Sequence, residues 1–273
     1  MSVTWRSNAP PPGMARVTPL GWLLVAGRGV ALCVLLAVGL VVLLLLRALE
    51  WPFAGLRRPV SGHVNQIVSR AALAVLGLRV LRRGKPMPGR GALVANHSSW
   101  LDILVLNATA RVFFVAKSEV ARWPGIGWLA RASGALFINR KGREARAQTV
   151  LFEARLRAGQ QLLFFPEGTS TDGLRVLPFK PTLFAAFFAG DLPQILQIQP
   201  VSLRYVAPQG ADARFYGWWG DMALGGHLLQ MLAAQRHSFV ELVFHPALHV
   251  ADFPDRKALA MRAGEIVRST AVP

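Results

Sequence analysis

The sequence predicts a mixed α/β fold, in which a largely parallel central sheet is flanked by helices and preceded by an N-terminal membrane helix and a second interfacial helix. Two observations support it: short apolar runs alternate with segments of helical period, and a long uncharged run lies near the N-terminus. The 273 residues suffice for one such domain and an appendage. We divide the chain into a flexible tail (1–19), membrane-anchoring helices (20–77) and an α/β domain (78–273).

The membrane helix is predicted from residues 29–46, a run of 18 residues without a charge. Residues 20–26 extend the apolar stretch upstream, interrupted only by Gly27 and Arg28. A helix of this length is able to cross the hydrocarbon of a bilayer. A cleaved signal peptide and a buried core helix remain as alternatives for this segment.

The second helix is predicted over residues 64–77, which are apolar at helical spacing but too short to cross a bilayer. Two placements stay open for it, namely the membrane interface beside the first helix and the protein core.

The α/β domain is predicted from the alternation that follows. Ligands of such sheets bind outside the carboxyl ends of the strands, so the loops that follow the strands are the places to look for chemistry. The predicted strands are residues 78–81, 91–95, 112–116, 135–138, 161–165, 195–203 and 239–244. The predicted helices are residues 100–110, 125–132, 143–158, 182–189 and 222–235.

Composition narrows the class of partner. Lys and Arg total 31 against 14 Asp and Glu, a formal charge of +17, which favours nucleic acid, acidic lipid or an acidic carrier protein. Because 53% of the residues are hydrophobic, a membrane surface is favoured over nucleic acid. The single cysteine, Cys33, lies in the apolar run, so the sequence indicates neither a disulfide framework nor a thiolate metal cluster.

A histidine and a carboxylate follow the predicted strand 91–95. His97 lies just before the predicted helix, and Asp102 lies in its first turn. Asp102 has two possible roles. It can close a capping box with Ser99 as N-cap, or it can hold the imidazole of His97 so that the free ring nitrogen acts as a general base. The G-x-S-x-G motif of serine hydrolases is absent.

The other loops carry charged residues with equally open roles. Glu167 and Gly168 follow the predicted strand 161–165, where the carboxylate either binds a substrate hydroxyl or pairs with a basic side chain. Arg140 and Lys117 follow two further predicted strands. Arg140 suits bidentate contact with phosphate or carboxylate, although a solvated run of charge gives the same pattern.

Four short motifs, taken in order, resemble those of the 1-acylglycerol-3-phosphate acyltransferase family: His97 with Asp102 five residues on, and residues 137–140, 165–169 and 199–201. The resemblance covers roughly residues 78 to 205. It implies that residues 78–273 form an acyltransferase domain in which His97 is the base and Asp102 orients it. It also implies that residues Lys117, Arg140, Glu167, Gly168 and Thr169 line the substrate site.

The same resemblance implies the partners. The donor is acyl-acyl carrier protein or acyl-CoA, the acceptor is a lysolipid, and no metal, cofactor or nucleic acid is expected. The basic chain suits an acidic carrier and anionic membrane lipid. The implied location is integral, in a bacterial inner membrane, with the catalytic domain in the cytoplasm.

The acceptor stays open between two lipids. Glycerophosphate members of the family often carry arginine directly after the Glu-Gly-Thr element, where this chain has Ser170. Residues 170–180 look more like the branch that acylates lyso-ornithine lipid. We therefore expect acyl transfer to lysophosphatidate, to lyso-ornithine lipid, or to both.

Two other classes of function remain as alternatives. One is a non-catalytic, membrane-anchored scaffold that binds anionic lipid or nucleic acid through its positive charge, and does so independently of His97 and Asp102. The other is a lipid hydrolase, which would release free fatty acid without a lysolipid acceptor.

Overall fold

The computed structural model describes residues 4–13, 16–138 and 145–272, with side chains omitted for 145–149. Its centre is a mixed sheet in the order β1-β7-β6-β2-β5-β3-β4, with β8 paired to β6. The strands are β1 (Arg79–Arg83), β2 (Gly91–Ala95), β3 (Phe113–Lys117), β4 (Leu136–Ile138), β5 (Gln161–Phe164), β6 (Gln197–Val206), β7 (Phe239–Phe244) and β8 (Leu248–His249).

Strand directions confirm the predicted mixed, largely parallel sheet. The five strands β6, β2, β5, β3 and β4 run parallel to one another, whereas β7 and β8 run antiparallel to β6. The carboxyl ends of β2, β5 and β3 therefore open onto one edge of the sheet. The loops in which chemistry is predicted all start at this edge.

Helices cover both faces of the sheet. They are α1 (Pro19–Ala54), α2 (Ser61–Leu76), α3 (Leu101–Thr109), α4 (Ile126–Ser133), α5 (Ala145–Arg157), α6 (Leu192–Ile195), α7 (Leu224–Ala233) and α8 (Arg256–Ala271). Three 3₁₀ helices span Ser118–Arg122, Pro181–Phe188 and Val250–Asp252.

The alternation of side chains along β2 divides the core in two. Leu93 and Ala95 pack against the layer formed by α2, α3 and α7, whereas Ala92 and Val94 pack against α5, α8 and the 3₁₀ helix Pro181–Phe188. Every residue of β2 is buried, as expected for a central strand covered on both faces.

Helix α1 lies along the domain instead of projecting from it. Near its start, the Arg28 guanidinium donates to the carbonyl oxygens of Leu232 and Ala234, at 2.9 and 2.6 Å. Near its end, the Arg47 guanidinium donates to the carbonyl oxygen of Ala132 at 2.9 Å. Its outward face is apolar and exposed, and α1 is the one described helix that is long and apolar enough to cross a membrane.

Helix α2 takes the second of the two placements left open for it. It packs between α1 and α3, and Leu73 and Leu76 belong to the core. The interfacial placement predicted for this helix is therefore limited to exposed side chains such as Ile67.

The structure departs from the predicted elements at helix α8 and at residues 181–188. The helix α8 was not predicted, because its buried face is built largely from small residues such as Ala260 and Ala263, which give a weak apolar pattern. Residues 181–188 form a 3₁₀ helix instead of an α-helix. Arg140 lies outside the described residues.

Candidate active site

The loop from β2 to α3 carries His97 and is fixed by its neighbours on both sides. The Asn96 side chain donates to the Leu203 carbonyl and accepts from the Leu203 N–H, at 2.9 and 2.8 Å, which ties the loop to β6. The Thr171 N–H donates to the His97 carbonyl at 2.9 Å, and the Trp218 N–H donates to the Ser98 carbonyl at 2.8 Å. The loop is therefore held by three separate parts of the chain.

His97 and Asp102 form a hydrogen-bonded pair, as the second role for Asp102 requires. His97 Nδ1 lies 2.7 Å from Asp102 Oδ2, and the same oxygen accepts the N–H groups of Ser98 at 2.8 Å and Ser99 at 3.0 Å. An oxygen that accepts two backbone N–H groups is an acceptor toward the ring as well, so Nδ1 carries the proton. The lone pair of His97 Nε2 is left available to take a proton.

The capping-box prediction is only partly correct. The helix N-cap is Trp100, which makes no side-chain capping bond, and the buried Ser99 hydroxyl has no hydrogen-bond partner among the described residues. Ser99 is therefore not the side-chain cap that the spacing indicated. The Asp102 carboxylate still accepts the Ser99 N–H, so it stabilises the helix start and orients His97 at the same time.

Tyr205 is the third member of this network, and sequence reasoning missed it. Its hydroxyl donates to Asp102 Oδ1 at 2.7 Å, so that the fully buried carboxylate accepts four hydrogen bonds. Burial and the negative charge of Asp102 raise the pKa of Tyr205 well above 10, which keeps the phenol protonated as a donor. The signal in the sequence was its place near the carboxyl end of β6.

The imidazole of His97 is partly open to solvent. Its ring stacks on that of Phe165, with the centroids 4.0 Å apart and the planes at 10°. One face is thereby covered, yet 20% of the side chain remains exposed. In the part of the chain that the structure describes, Nε2 has no hydrogen-bond partner, so it is the atom available to a substrate hydroxyl.

Glu167 lies beneath the His97 loop. It is 1% exposed, and its two carboxylate oxygens accept the N–H groups of His97 and Leu177, each at 2.7 Å. Burial raises its pKa to about 8, although the two N–H groups act in the opposite direction. Glu167 thereby ties the 167–177 loop to the backbone of His97, and the contact with the acceptor that the resemblance implied stays a prediction.

Gly168 and Thr169 lie beside this bond. Gly168 has φ of 72°, a left-handed conformation that disfavours residues with a Cβ. Thr169 is buried, and its hydroxyl oxygen accepts the N–H of Trp5 at 3.2 Å. The loop therefore turns sharply directly after Glu167 and meets the N-terminal segment there.

The segment 4–13 lies against this edge, which the sequence did not indicate. The Arg175 guanidinium lies over the Trp5 ring at 5.1 Å, and the Trp219 ring is 6.3 Å from it. Arg6 pairs with Asp221 at 2.9 Å. The tail contacts the catalytic edge through an aromatic residue and a charged one.

Lys117, the remaining predicted site residue that the structure describes, ends β3 at the same edge, two strands from β2. At this edge, His97 has a fixed tautomer and an open Nε2, and the buried Asp102 carboxylate stabilises the protonated form of its ring. This arrangement suits general base catalysis on a substrate hydroxyl.

Comparisons with known proteins agree on one family. A family model described as Acyltransferase matches residues 75–204. A lyso-ornithine lipid O-acyltransferase of Rhodobacter capsulatus is 52% identical over 265 residues, which cover 97% of this chain and 96% of that protein. A 1-acyl-sn-glycerol-3-phosphate acyltransferase of Neisseria gonorrhoeae is 32% identical over 207 residues, which cover 74% of this chain and 78% of that protein.

The fold is shared with a solved structure. It is the crystal structure of the 1-acyl-sn-glycerophosphate (LPA) acyltransferase PlsC from Thermotoga maritima, with a TM-score of 0.56 at 20% identity. The match covers 89% of this chain and 96% of that chain, so it includes elements outside the residues that the family model matches.

Proposed function

We propose that this chain, which belongs to the acyltransferase family, transfers a fatty acyl group from a thioester carrier to a hydroxyl of lyso-ornithine lipid. The membership confirms the resemblance predicted from the four ordered motifs. The acceptor is supported by 52% identity, over almost the whole chain, to a protein named for that activity. Lysophosphatidate is the second acceptor, supported by 32% identity to a glycerophosphate enzyme.

The observation that carries the proposal is the 2.7 Å contact between His97 Nδ1 and Asp102 Oδ2, together with the open Nε2. In the proposed step, Nε2 takes the proton of the acceptor hydroxyl while the oxygen attacks the thioester carbonyl. A tetrahedral intermediate forms, the carbon–sulfur bond then breaks, and the imidazolium returns the proton to the leaving thiolate. The products are the acylated lipid and a free thiol.

The other described residues support this step without contacting the reacting atoms. Asp102 stabilises the imidazolium, Tyr205 fixes the Asp102 carboxylate, and Glu167 fixes the backbone of the loop. The proposed step needs no metal ion, because the chain itself supplies the base and the group that orients it.

We also propose roles for the residues that lie nearest the substrates. Gly168 and Thr169 line the acceptor site, and the cationic side chains of Lys117 and Arg140 attract carboxylate or phosphate groups of the substrates. The donor is acyl-acyl carrier protein or acyl-CoA, both of which are acidic and suit a chain of charge +17.

For the anchor, we propose that α1 lies in one leaflet, along the surface of the domain, and does not cross the bilayer. Arg28 and Arg47 both bind backbone carbonyls of the domain, so that packed protein accompanies α1 over the 18 residues between them. At about 1.5 Å per residue, the length of helix between the two arginines is close to the thickness of the hydrocarbon core of a bilayer. We further propose that the catalytic domain faces the cytoplasm of a bacterial inner membrane.

The topology is tested with two single-cysteine variants in a Cys33→Ser background, Asn8→Cys and Val60→Cys, labelled by a thiol reagent that does not cross membranes. These positions flank α1. Labelling of both from the same side supports a helix within one leaflet. Labelling from opposite sides would show that α1 crosses the membrane.

The activity is tested by offering labelled acyl-acyl carrier protein and acyl-CoA to the membrane-reconstituted protein, with lyso-ornithine lipid or lysophosphatidate as acceptor. We expect ornithine lipid as the main product. The variant Ser170→Arg is the matched probe of acceptor choice, because it places a phosphate-binding side chain next to Thr169. It should raise the share of lysophosphatidate acylated, and an absence of transfer to both lipids by the wild-type chain would refute the proposal.

A further inference from the structure

A second polar region lies at the edge of the sheet opposite to His97. A cavity of about 870 Å³ opens there, bordered by the end of α1 at Phe53, by Arg90 just before β2, and by Gln161 at the start of β5. The strands β2 and β5 begin at this edge, whereas His97 follows the carboxyl end of β2. The cavity is therefore separated from the catalytic loop by the length of the sheet.

The lining of this cavity is basic. Four arginines contribute to it, and none of its lining residues is acidic: Arg57, Arg58, Arg90 and Arg111. Within the described part of the chain, none of the four forms an ion pair with a carboxylate. The polar contacts that Arg111 makes are to the Pro59 carbonyl at 3.4 Å and to His63 at 3.3 Å.

Two more arginines stand behind the cavity wall and add to the positive charge. The guanidinium groups of Arg58 and Arg155 both lie over the Phe113 ring, at 5.3 and 5.9 Å from its centroid. Arg47 shares the Ala132 carbonyl with Arg58, at 2.9 and 3.5 Å. Burial, and repulsion from Arg47 and Arg155, lower the pKa of Arg58 to about 10.

No carboxylate forms a direct ion pair with these arginines among the described residues, and a helix dipole supplies part of the compensation. The shared acceptor, Ala132, lies in the last turn of α4, where the helix dipole is negative. The carboxylate of Glu50 acts on Arg58 from beyond ion-pair distance, and it accepts the N–H groups of Val60 and Ser61 at 2.5 and 2.9 Å. The buried Nε of Arg155 has no partner among the described residues. The region is built to receive negative charge from outside the chain.

We propose that this cavity binds the headgroup of an anionic phospholipid. Guanidinium groups match the geometry of phosphate oxygens, and the arginines exposed at the opening can make bidentate contacts with them. The opening lies at the end of the exposed apolar face of α1, where the side chains of Trp51 and Phe53 are 62% and 93% exposed. Aromatic side chains in such a position lie at the level of lipid headgroups.

The position favours lipid over an acidic carrier protein. A carrier must bring its thioester to His97, and the cavity lies at the opposite edge of the sheet. A lipid that binds beside Phe53 needs no such reach, because the acyl chains continue along the apolar face of α1. The site is separate from the proposed acyl transfer, so that either proposal can fail without the other.

The test measures binding of phosphatidylglycerol to the full chain in a non-ionic detergent. The double variant Arg57→Gln/Arg111→Gln removes two charges at the opening, and Arg256→Gln/Lys257→Gln removes two exposed charges from α8, on the other face of the sheet. Because two charge-assisted contacts are lost, we expect the affinity of the first variant for phosphatidylglycerol to fall by about tenfold or more. The second variant should bind as the wild-type chain does.

Three results would overturn the proposal. The first is equal weakening in both variants, which would indicate a general effect of net charge. The second is unchanged phosphatidylglycerol binding in the cavity variant, with binding of acyl carrier protein weakened instead. The third is displacement of the lipid by inorganic phosphate at a similar concentration, which would identify a site for the free ion. The proposal is supported if phosphatidylglycerol binding is weaker in the cavity variant and unchanged in the α8 variant.

Discussion

The two edges of the central sheet differ in how their buried polar groups are satisfied. At the carboxyl edge, the Asp102 carboxylate accepts four hydrogen bonds and the Glu167 carboxylate accepts two. At the amino edge, the clustered arginines find carbonyl oxygens and an aromatic ring, but no carboxylate pairs with them among the described residues. The buried carboxylates of the first edge are hydrogen-bonded before any ligand binds, whereas the arginines of the second edge have no ion-paired carboxylate among the described residues.

The difference has a chemical meaning. A general base must already have its tautomer and position before the substrate binds, so its supporting carboxylates belong to the chain. A site for an anionic headgroup gains affinity from charge that the ligand itself supplies, so an uncompensated cluster suits it.

The largest effect is expected for His97, whose imidazole takes the proton of the substrate hydroxyl in the proposed step. His97→Ala removes the proton acceptor and should lower the rate of acyl transfer by about 10²- to 10⁴-fold. The fold should persist, because the surrounding loop is held by Asn96, Thr171 and Trp218. Initial rates with lyso-ornithine lipid, together with thermal melts, check both statements; a rate within threefold of wild type would remove His97 from the mechanism.

The next effect sharpens the account of Asp102. Tyr205→Phe deletes one hydrogen bond to Oδ1 while keeping the ring, and we expect about a tenfold loss in kcat, the size of one charge-assisted hydrogen bond. Tyr216→Phe is the matched control, because this second tyrosine is buried in the same core but donates no hydrogen bond to Asp102. Equal losses in the two variants would mean that Tyr205 acts through packing alone.

A third variant tests whether the raised pKa of Glu167 makes the stability of the fold depend on pH. Because the pKa of about 8 lies above the ordinary value of 4.5, the protonated form is favoured by folding. The resulting stability is present at low pH and is lost as pH rises through about 8. Glu167→Gln cannot titrate, so its melting temperature should fall less than that of wild type between about pH 5 and about pH 9.

The same variant should be less stable at low pH, by about 1–3 kcal/mol, since an amide has one acceptor oxygen for the two N–H groups of His97 and Leu177. Parallel pH profiles of the two melting temperatures would show that Glu167 does not titrate in the proposed range.

The smallest effect is expected where the N-terminal segment joins the catalytic edge. Trp5→Ala removes the ring that lies under Arg175, an interaction worth about 0.5–1 kcal/mol at an exposed site, and loosens the loop that follows Thr169. We expect a two- to fivefold loss of activity, on the order of that energy. Arg16→Ala changes an exposed residue between this segment and α1 and is the control. Equal losses in the two variants would point to a general effect of changing the N-terminal region.

Much of the fold could be predicted because its signals are local. The strands β2 and β7 were predicted to the residue, since each is a short apolar run bounded by polar or turn residues. The pairing of His97 with Asp102 was also predictable, because both lie within one loop and one helical turn. Helix α8 was missed, since its buried face depends on small side chains.

The long-range parts of the site could not be predicted in this way. Tyr205 reaches Asp102 from a strand 103 positions along the chain, and Trp5 reaches Thr169 across 164 positions. The place of Tyr205 near the carboxyl end of a strand is a weak local signal, and Trp5 has none. The role of Glu167 depended on which backbone groups surround it, and only the packed loops define them.

The central claim is that His97 activates the lysolipid hydroxyl for direct attack, without an acyl-enzyme. The most direct measurement is thiol release from the acyl thioester, combined with the intact mass of the protein, before and after addition of lyso-ornithine lipid. The account predicts that thiol appears only once the acceptor is added, and that the mass never increases by an acyl group. A burst of thiol without acceptor, with a matching acyl adduct on the protein, would contradict it.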